Sequence, residues 1–147
     1  MATVRLEKGT SDWFPIKRGV RQGCILSPSL FSIYTERIMR EVEHDGQHLD
    51  FQAIKMNGEE IKELRYADDT ALISKTPNGL NYILQSVKNH NEEKDLCLNP
   101  SKTKIMATDK CTDVPKLFVN NEELESVETF VYLGAQIKKR WKDHTRD

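Results

Sequence analysis

The sequence predicts an α+β fold from three observations: two stretches with a helical apolar period behind proline-led starts, short apolar runs between them, and tight-turn dipeptides that divide those runs. The first helical stretch starts at Ser27-Pro28, and Leu30, Phe31, Tyr34, Ile38 and Val42 follow at spacings of one, three, four and four. The second starts at Thr76-Pro77, and its stripe Leu80, Ile83, Leu84 and Val87 runs out near Lys94. In each, a hydroxyl side chain can cap the first turn, and proline tolerates the first helical position because the N–H it lacks has no partner there.

The remaining elements read as strands and hairpins. Thr3 to Leu6 and Trp13 to Ile16 flank the turn-rich segment Lys8-Gly9-Thr10-Ser11-Asp12, a hairpin pattern whose core would take Trp13 and Phe14. Phe51 to Met56 and Glu60 to Leu64 flank Asn57-Gly58, the dipeptide best able to place two consecutive residues at positive φ. Leu64 to Ala67 and Thr70 to Ser74 flank Asp68-Asp69, which predicts a hairpin with both carboxylates at its tip. Lys104 to Ala107, Leu117 to Val119 before Asn120-Asn121, and Phe130 to Ile137 complete the pattern. Neither an internal repeat nor a low-complexity linker interrupts it.

At 147 residues with a hydrophobic fraction of 37%, the chain can bury one core, which predicts one domain. Its 22 basic and 23 acidic residues nearly cancel, so any attraction for phosphate is local. Such a place is the segment 138–147, with Lys138, Lys139, Arg140, Lys142 and Arg146 against Asp143 and Asp147. Cys24, Cys97 and Cys111 fit neither a disulfide framework nor a paired metal knuckle, and no apolar signal core or membrane-length run is visible. An intracellular chain, cytoplasmic or nuclear, is expected.

Two adjacent carboxylates among apolar strands are costly to bury and useful where cations gather. Phosphoryl transfer to a primer hydroxyl employs two divalent ions about 3.5–4 Å apart, one activating the attacking oxygen and one neutralising the leaving pyrophosphate. Magnesium takes a few carboxylates, several waters and substrate phosphates, a ligand set that clustered aspartates supply.

Several blocks, in order, carry a resemblance. Gly19-Val20-Arg21-Gln22-Gly23-Cys24-Ile25-Leu26-Ser27-Pro28 comes first, preceded by Arg18. Tyr66-Ala67-Asp68-Asp69-Thr70-Ala71-Leu72-Ile73, Leu98-Asn99-Pro100-Ser101-Lys102-Thr103-Lys104 and Phe130-Val131-Tyr132-Leu133-Gly134 follow. Together they resemble the reverse transcriptases of retrotransposons without long terminal repeats, in particular the elements that pair the polymerase with an apurinic-type endonuclease.

The resemblance implies a polymerase palm-like antiparallel sheet packed on helices over 1–137, followed by a basic tail at 138–147. It implies RNA-directed DNA synthesis with an RNA template, a DNA primer, deoxynucleoside triphosphates and two Mg2+ ions, with Mn2+ as a substitute. Asp68 would be the main metal ligand and Asp69 a weaker one. Arg21, Gln22, Gly23, Tyr66 and Ala67 would line the nucleotide and template side, with the small Ala67 near the primer terminus. Lys102 would stand near the triphosphate and protonate the departing pyrophosphate, and Tyr132, Leu133 and Gly134 would form the primer grip.

The chain departs from that pattern in four ways. The family's third aspartate, on an earlier strand, is matched by none of Asp12, Asp45 and Asp50, so the first catalytic strand is expected to be missing, and the fingers and most of the thumb are expected to be missing too. Asp95 stands where a glycine usually precedes the Leu-x-Leu-Asn segment. Two readings follow: a polymerase domain fragment, inactive alone, or a decayed or co-opted palm remnant acting as a binding module. Two smaller candidates are a zinc site from His44 and His48 with Asp45 or Asp50, although Gly46 interrupts that helix, and base stacking by Trp13, Phe14 or Trp141.

Overall fold

The computed structural model describes residues 1–17, 19–45, 53–107 and 114–139. The chain divides into two compact units, Met1–Thr35 and Glu36–Asp147. Arg18, His48, Asp50, Phe51, Cys111, Trp141 and all but two residues of the predicted basic tail lie outside the described residues.

In the first unit, β1 (Arg5–Leu6) pairs antiparallel with β2 (Gly9–Thr10). The pair is extended by the Ala2–Phe14 bridge, whose two backbone hydrogen bonds are 2.8 and 2.9 Å. The predicted hairpin is present with its tight turn earlier, at Glu7-Lys8, because Gly9 and Thr10 are spent on pairing. Ser11 stabilises the wider part of the loop: its backbone N–H donates to the Val4 carbonyl, and its side-chain oxygen accepts from the Val4 N–H at 2.9 Å. Trp13 and Phe14 are exposed rather than forming a hairpin core, since two residue pairs close too small a surface to bury an indole.

The helix α1 (Ser27–Asp45) begins where Ser27-Pro28 predicts it. Ser27 does not act as a conventional cap: its hydroxyl donates to the Arg21 carbonyl at 2.6 Å, folding the Arg21–Ser27 loop onto the helix start. Leu30 and Tyr34 on the predicted stripe are exposed.

The second unit contains the last turns of α1, where Ile38, Met39 and Val42 are buried. Two hairpins follow. β3 (Ile54–Met56) and β4 (Glu59–Ile61) turn at Asn57 and Gly58, with φ of 53° and 88°, as a primed turn requires. β5 (Glu63–Tyr66) and β6 (Asp69–Leu72) carry the acidic pair. The helix α2 (Pro77–Glu93) is capped by Thr76, whose Oγ1 accepts from the Gly79 N–H at 3.2 Å.

At the other end of α2, the Leu96 N–H reaches the Asn91 carbonyl and the Asp95 N–H the Glu92 carbonyl, with Asp95 at φ +62°. This is the Schellman ending, which favours glycine at the left-handed residue. The departure at Asp95 noted from the sequence thus sits on the residue that must adopt the left-handed conformation.

Short strands complete the unit: β7 (Lys104–Ile105), β8 (Phe118–Val119), β9 (Glu122–Glu123), β10 (Glu125–Ser126), β11 (Thr129–Tyr132) and β12 (Ala135–Lys138). β8 and β9 turn at Asn120 and Asn121, φ 51° and 64°, and β11 and β12 at Leu133 and Gly134, φ 50° and 80°. The run Phe130 to Ile137, read as one apolar segment, is therefore a hairpin folded about its own Leu-Gly turn.

Among the described residues the strands form six pairs, five antiparallel and one, β7 with β10, parallel. The α+β class stands, but the expected palm-like antiparallel sheet packed on helices is not continuous here. The five antiparallel pairs close through two-residue turns and so pair their nearest neighbours in sequence. Joining pairs edge to edge needs long-range register between segments of only two to four residues.

Two adjoining apolar clusters hold the second unit. Met39 and Val42 of α1 pack with Ile83 and Val87 of α2. Leu84, Ile105, Leu117, Val119 and Leu124 form the other cluster. Leu72, at the end of β6, and Leu98 pack against both, so the base of the acidic hairpin is fixed where the two clusters meet. Covering a leucine side chain fully stabilises by about 1.5–3 kcal/mol; half-buried Leu72 contributes less.

Candidate active site

The register of β5 and β6 pairs Tyr66 with Asp69, Arg65 with Thr70, Leu64 with Ala71 and Glu63 with Leu72. The turn therefore consists of Ala67 and Asp68. Only Asp68 occupies the tip, and Asp69, expected beside it, is the first residue of β6. Of the two turn residues only Ala67 has positive φ, at 53°, a conformation that costs a non-glycine residue about 1–2 kcal/mol. Alanine meets that cost with the smallest side chain that a non-glycine residue carries.

Both carboxylates are exposed. Among the described residues neither takes an ion pair or a hydrogen bond from a side chain, although basic groups elsewhere in the unit are paired extensively. Two unpaired, hard oxygen donors on adjacent residues suit a divalent cation that completes its shell with water and phosphate oxygens. No group of three histidine, cysteine, aspartate or glutamate side chains able to hold a metal occurs among the described residues. Asp68 and Asp69 thus offer carboxylate oxygens as two ligands to a divalent ion. The zinc candidate reduces to His44 and Asp45, because His48 and Asp50 lie outside the described residues.

Strand alternation gives the hairpin two unlike faces. Leu64, Tyr66, Asp69 and Ala71 share one, on which Tyr66 and Leu64 are exposed. Glu63, Arg65, Thr70 and Leu72 share the other. The charges Glu63 and Arg65 point inward, with side chains 21% and 20% exposed. Arg65 Nε donates to Glu63 Oε1 at 2.9 Å, its Nη2 donates to Glu36 Oε2, and Arg40 Nε donates to Glu36 Oε1 at 3.0 Å.

These contacts perturb the two glutamates oppositely. Arg65 and then Arg40 hold the Glu36 carboxyl below its ordinary range. Burial pushes that of Glu63 up, more than Arg65 draws it down, and Glu63 Oε2 has no hydrogen-bond partner among the described residues. Sequence reasoning passed over Arg65. Its signal was available: in Glu63-Leu64-Arg65-Tyr66 the alternation puts charges and apolar groups on opposite faces, yet the next strand has Leu72 on the charged face.

The other candidate residues lie on separate elements. Lys102 is exposed in a loop organised by Asn99, whose Oδ1 accepts from the Ser101 N–H at 3.1 Å and whose carbonyl accepts from the Thr103 hydroxyl at 2.8 Å. Tyr132 ends β11, and its hydroxyl donates to the Leu64 carbonyl at 3.1 Å, which joins the Leu133-Gly134 hairpin to the acidic one. Arg21, Gln22 and Gly23 lie in the exposed loop of the first unit. There the Cys24 N–H donates to the Arg21 carbonyl at 3.2 Å, and Gly23 has φ +79°.

A family model described as reverse transcriptase (RNA-dependent DNA polymerase) matches residues 2–137. The chain belongs to the reverse transcriptase family. It is similar to a transposon-derived protein of Caenorhabditis elegans, at 32% identity over 88 residues, or 57% of this chain and 31% of that protein. It is also similar to the Pol polyprotein of the type-1 retrotransposable element R2 of Nasonia vitripennis, at 33% identity over 106 residues, or 71% of this chain and 10% of the polyprotein. The chain thus spans about a third and a tenth of these relatives. No solved structure matches it significantly.

These relationships make it a reverse transcriptase region of the type found in retrotransposons without long terminal repeats. Reverse transcriptases work with divalent metal ions on a nucleic acid template and primer. Among the described residues of this one, no helix is long and apolar enough to cross a membrane.

Proposed function

We propose that residues 1–137 are part of the palm of an RNA-directed DNA polymerase and that 138–147 form its basic tail. The observation that carries this reading is the β5–β6 hairpin, which presents Asp68 on the turn and Asp69 beside it, both exposed and, among the described residues, free of side-chain partners, while its base is fixed by Leu72. In the parent enzyme the template is RNA, the primer DNA and the substrates deoxynucleoside triphosphates.

Asp68 is the principal ligand of Mg2+, or of Mn2+ in its place, and Asp69 the second. Held by these carboxylates, divalent ions would supply the charge that lowers the pKa of the primer hydroxyl and offsets that of the leaving pyrophosphate. Around them, Ala67 leaves room for the primer terminus and Tyr66 flanks it. Gln22 and Gly23 admit nucleotide and template, with Arg21 offering a guanidinium to phosphate. Lys102 gives a proton to the departing pyrophosphate, and the Tyr132-Leu133-Gly134 turn supports the primer backbone.

Two carboxylates supply only part of the electrostatic stabilisation that phosphoryl transfer requires. Primer extension on an RNA template with Mg2+ tests the reading in three proteins: this chain, its Asp68→Asn variant, and a version extended at the N-terminus by a segment carrying a third carboxylate. Synthesis is expected only from the extended protein, and Asp68→Asn should abolish it there. Failure of the extended protein would favour a remnant that binds without chemistry. That second reading draws on the absence of a third ligand near the pair among the described residues.

A further inference from the structure

We propose that Arg65 is the positioning residue of the acidic hairpin: through Glu36 on α1 and Glu63 on its own strand, it fixes where Asp68 and Asp69 stand. The proposal rests on the polymerase reading of Asp68 and Asp69 and assigns a role to a residue outside the set that touches metal or substrate.

The hairpin needs such a residue. A two-stranded ladder is marginally stable by itself, and this one pairs with no third strand among the described residues. Leu72 secures the end remote from the turn. At the tip, Tyr66, Asp68 and Asp69 are exposed and Ala67 is held at positive φ, so the tip gains little from packing. Arg65 adjoins Tyr66 and points to the opposite face, and of the side chains that anchor the hairpin it lies nearest the turn along β5.

Its bonding is that of a clamp. Nε is committed to Glu63 and Nη2 to Glu36, so one planar group ties a strand to a helix. Arg40 occupies the other oxygen of Glu36 and keeps that carboxylate oriented. A lysine has a single nitrogen at the end of a flexible stem and cannot reproduce the two-edged geometry. Arg65 and Arg40 hold the Glu36 carboxyl below its ordinary range, which favours the charged form that the guanidinium binds, whereas burial raises that of Glu63.

The consequence for chemistry is geometric. Metal-assisted transfer loses rate steeply when ligands stray by about 1 Å, so a looser tip lowers turnover before it affects substrate binding.

The test uses two readouts. In the 147-residue chain, amide hydrogen exchange is measured for wild type, Arg65→Lys and Glu36→Gln. Both variants should exchange at least tenfold faster from residue 65 to residue 71, with exchange across Ile83–Val87 unchanged. Uniform acceleration, or none, overturns the proposal. In the N-terminally extended protein, Arg65→Lys should lower kcat at least tenfold with KM for the nucleotide within twofold, and unchanged kcat overturns it too. If the extended wild-type protein makes no DNA, the polymerase reading fails, whereas the exchange measurement still decides whether Arg65 holds the hairpin.

Discussion

The hydroxyl of Tyr132 donates across 3.1 Å to the carbonyl of Leu64, 68 residues away in sequence, and so joins two hairpins. One hairpin carries the acidic pair and the other the Leu133-Gly134 turn, so this bond couples the candidate metal ligands to the candidate primer grip. Replacing Tyr132 by phenylalanine keeps the ring and removes the bond. The bond is exposed to solvent, so the loss in urea-unfolding free energy should be small, about 0.5–1 kcal/mol. In the extended polymerase of the proposed assay, the same variant should raise KM for primer-template more than it lowers kcat.

Leu133 adopts φ +50° in a primed turn that favours asparagine or glycine at this position, and the residue is 53% exposed. A branched side chain held there costs about 1–2 kcal/mol and recovers little through burial. Leu133→Asn should therefore stabilise the chain by about 1 kcal/mol in urea unfolding. If the leucine is kept for contact with the primer, the stabler variant should be the poorer polymerase, the usual sign of strain retained at a working site.

Asp95 presents the same conflict without a proposed function. Its left-handed φ of +62° at the end of α2 suits glycine, and Asp95→Gly should raise the melting temperature by a few degrees, equivalent to about 1 kcal/mol. An unchanged or lowered melting temperature would show that the contacts of the aspartate outweigh its backbone strain.

The acid dependence of stability should reveal Glu36 and Glu63 acting in opposite senses. Glu36 has a lowered folded-state pKa, set first by Arg65 and then by Arg40. Its contribution is present above the ordinary glutamate value, about 4.3, and disappears as pH falls through the lowered one. Glu63 has a raised folded-state pKa, caused first by burial, so its contribution is present in acid and disappears as pH rises through the raised value. Glu36→Gln should cost at most about 1 kcal/mol at pH 7, because the carboxylate is half exposed, and less at pH 3. Glu63→Gln should not destabilise at pH 7. Urea midpoints at the two pH values check both, and a large loss for Glu63→Gln at pH 7 would mean that attraction to Arg65 outweighs burial.

Much of this organisation is local and hence legible in sequence. Thr76-Pro77 starts α2, and Ile83, Leu84 and Val87 are buried as their spacing predicts. Asn57-Gly58 turns a hairpin because both residues tolerate positive φ. The acidic pair lies on a hairpin too, but one residue out of the expected register. Alanine gave no turn signal, although it takes the position of positive φ, and Asp69 pairs with Tyr66 instead. The turn at Leu133-Gly134 was legible only through the family resemblance, since a leucine at positive φ has no propensity to announce it.

Sequence alone determined the family, the two helices, the hairpin that bears Asp68 and Asp69, and the types of ligand they offer. These follow from side-chain chemistry and from periods of two or 3.6 residues, which act over a few positions. Tertiary structure decided that Arg65 turns inward to Glu36 and Glu63, that Tyr132 reaches Leu64, and that Leu72 and Leu98 join the two apolar clusters. Those contacts bring together segments separated by many residues. Whether a given arginine or tyrosine finds its partner depends on how the helices and strands pack, which no local pattern specifies.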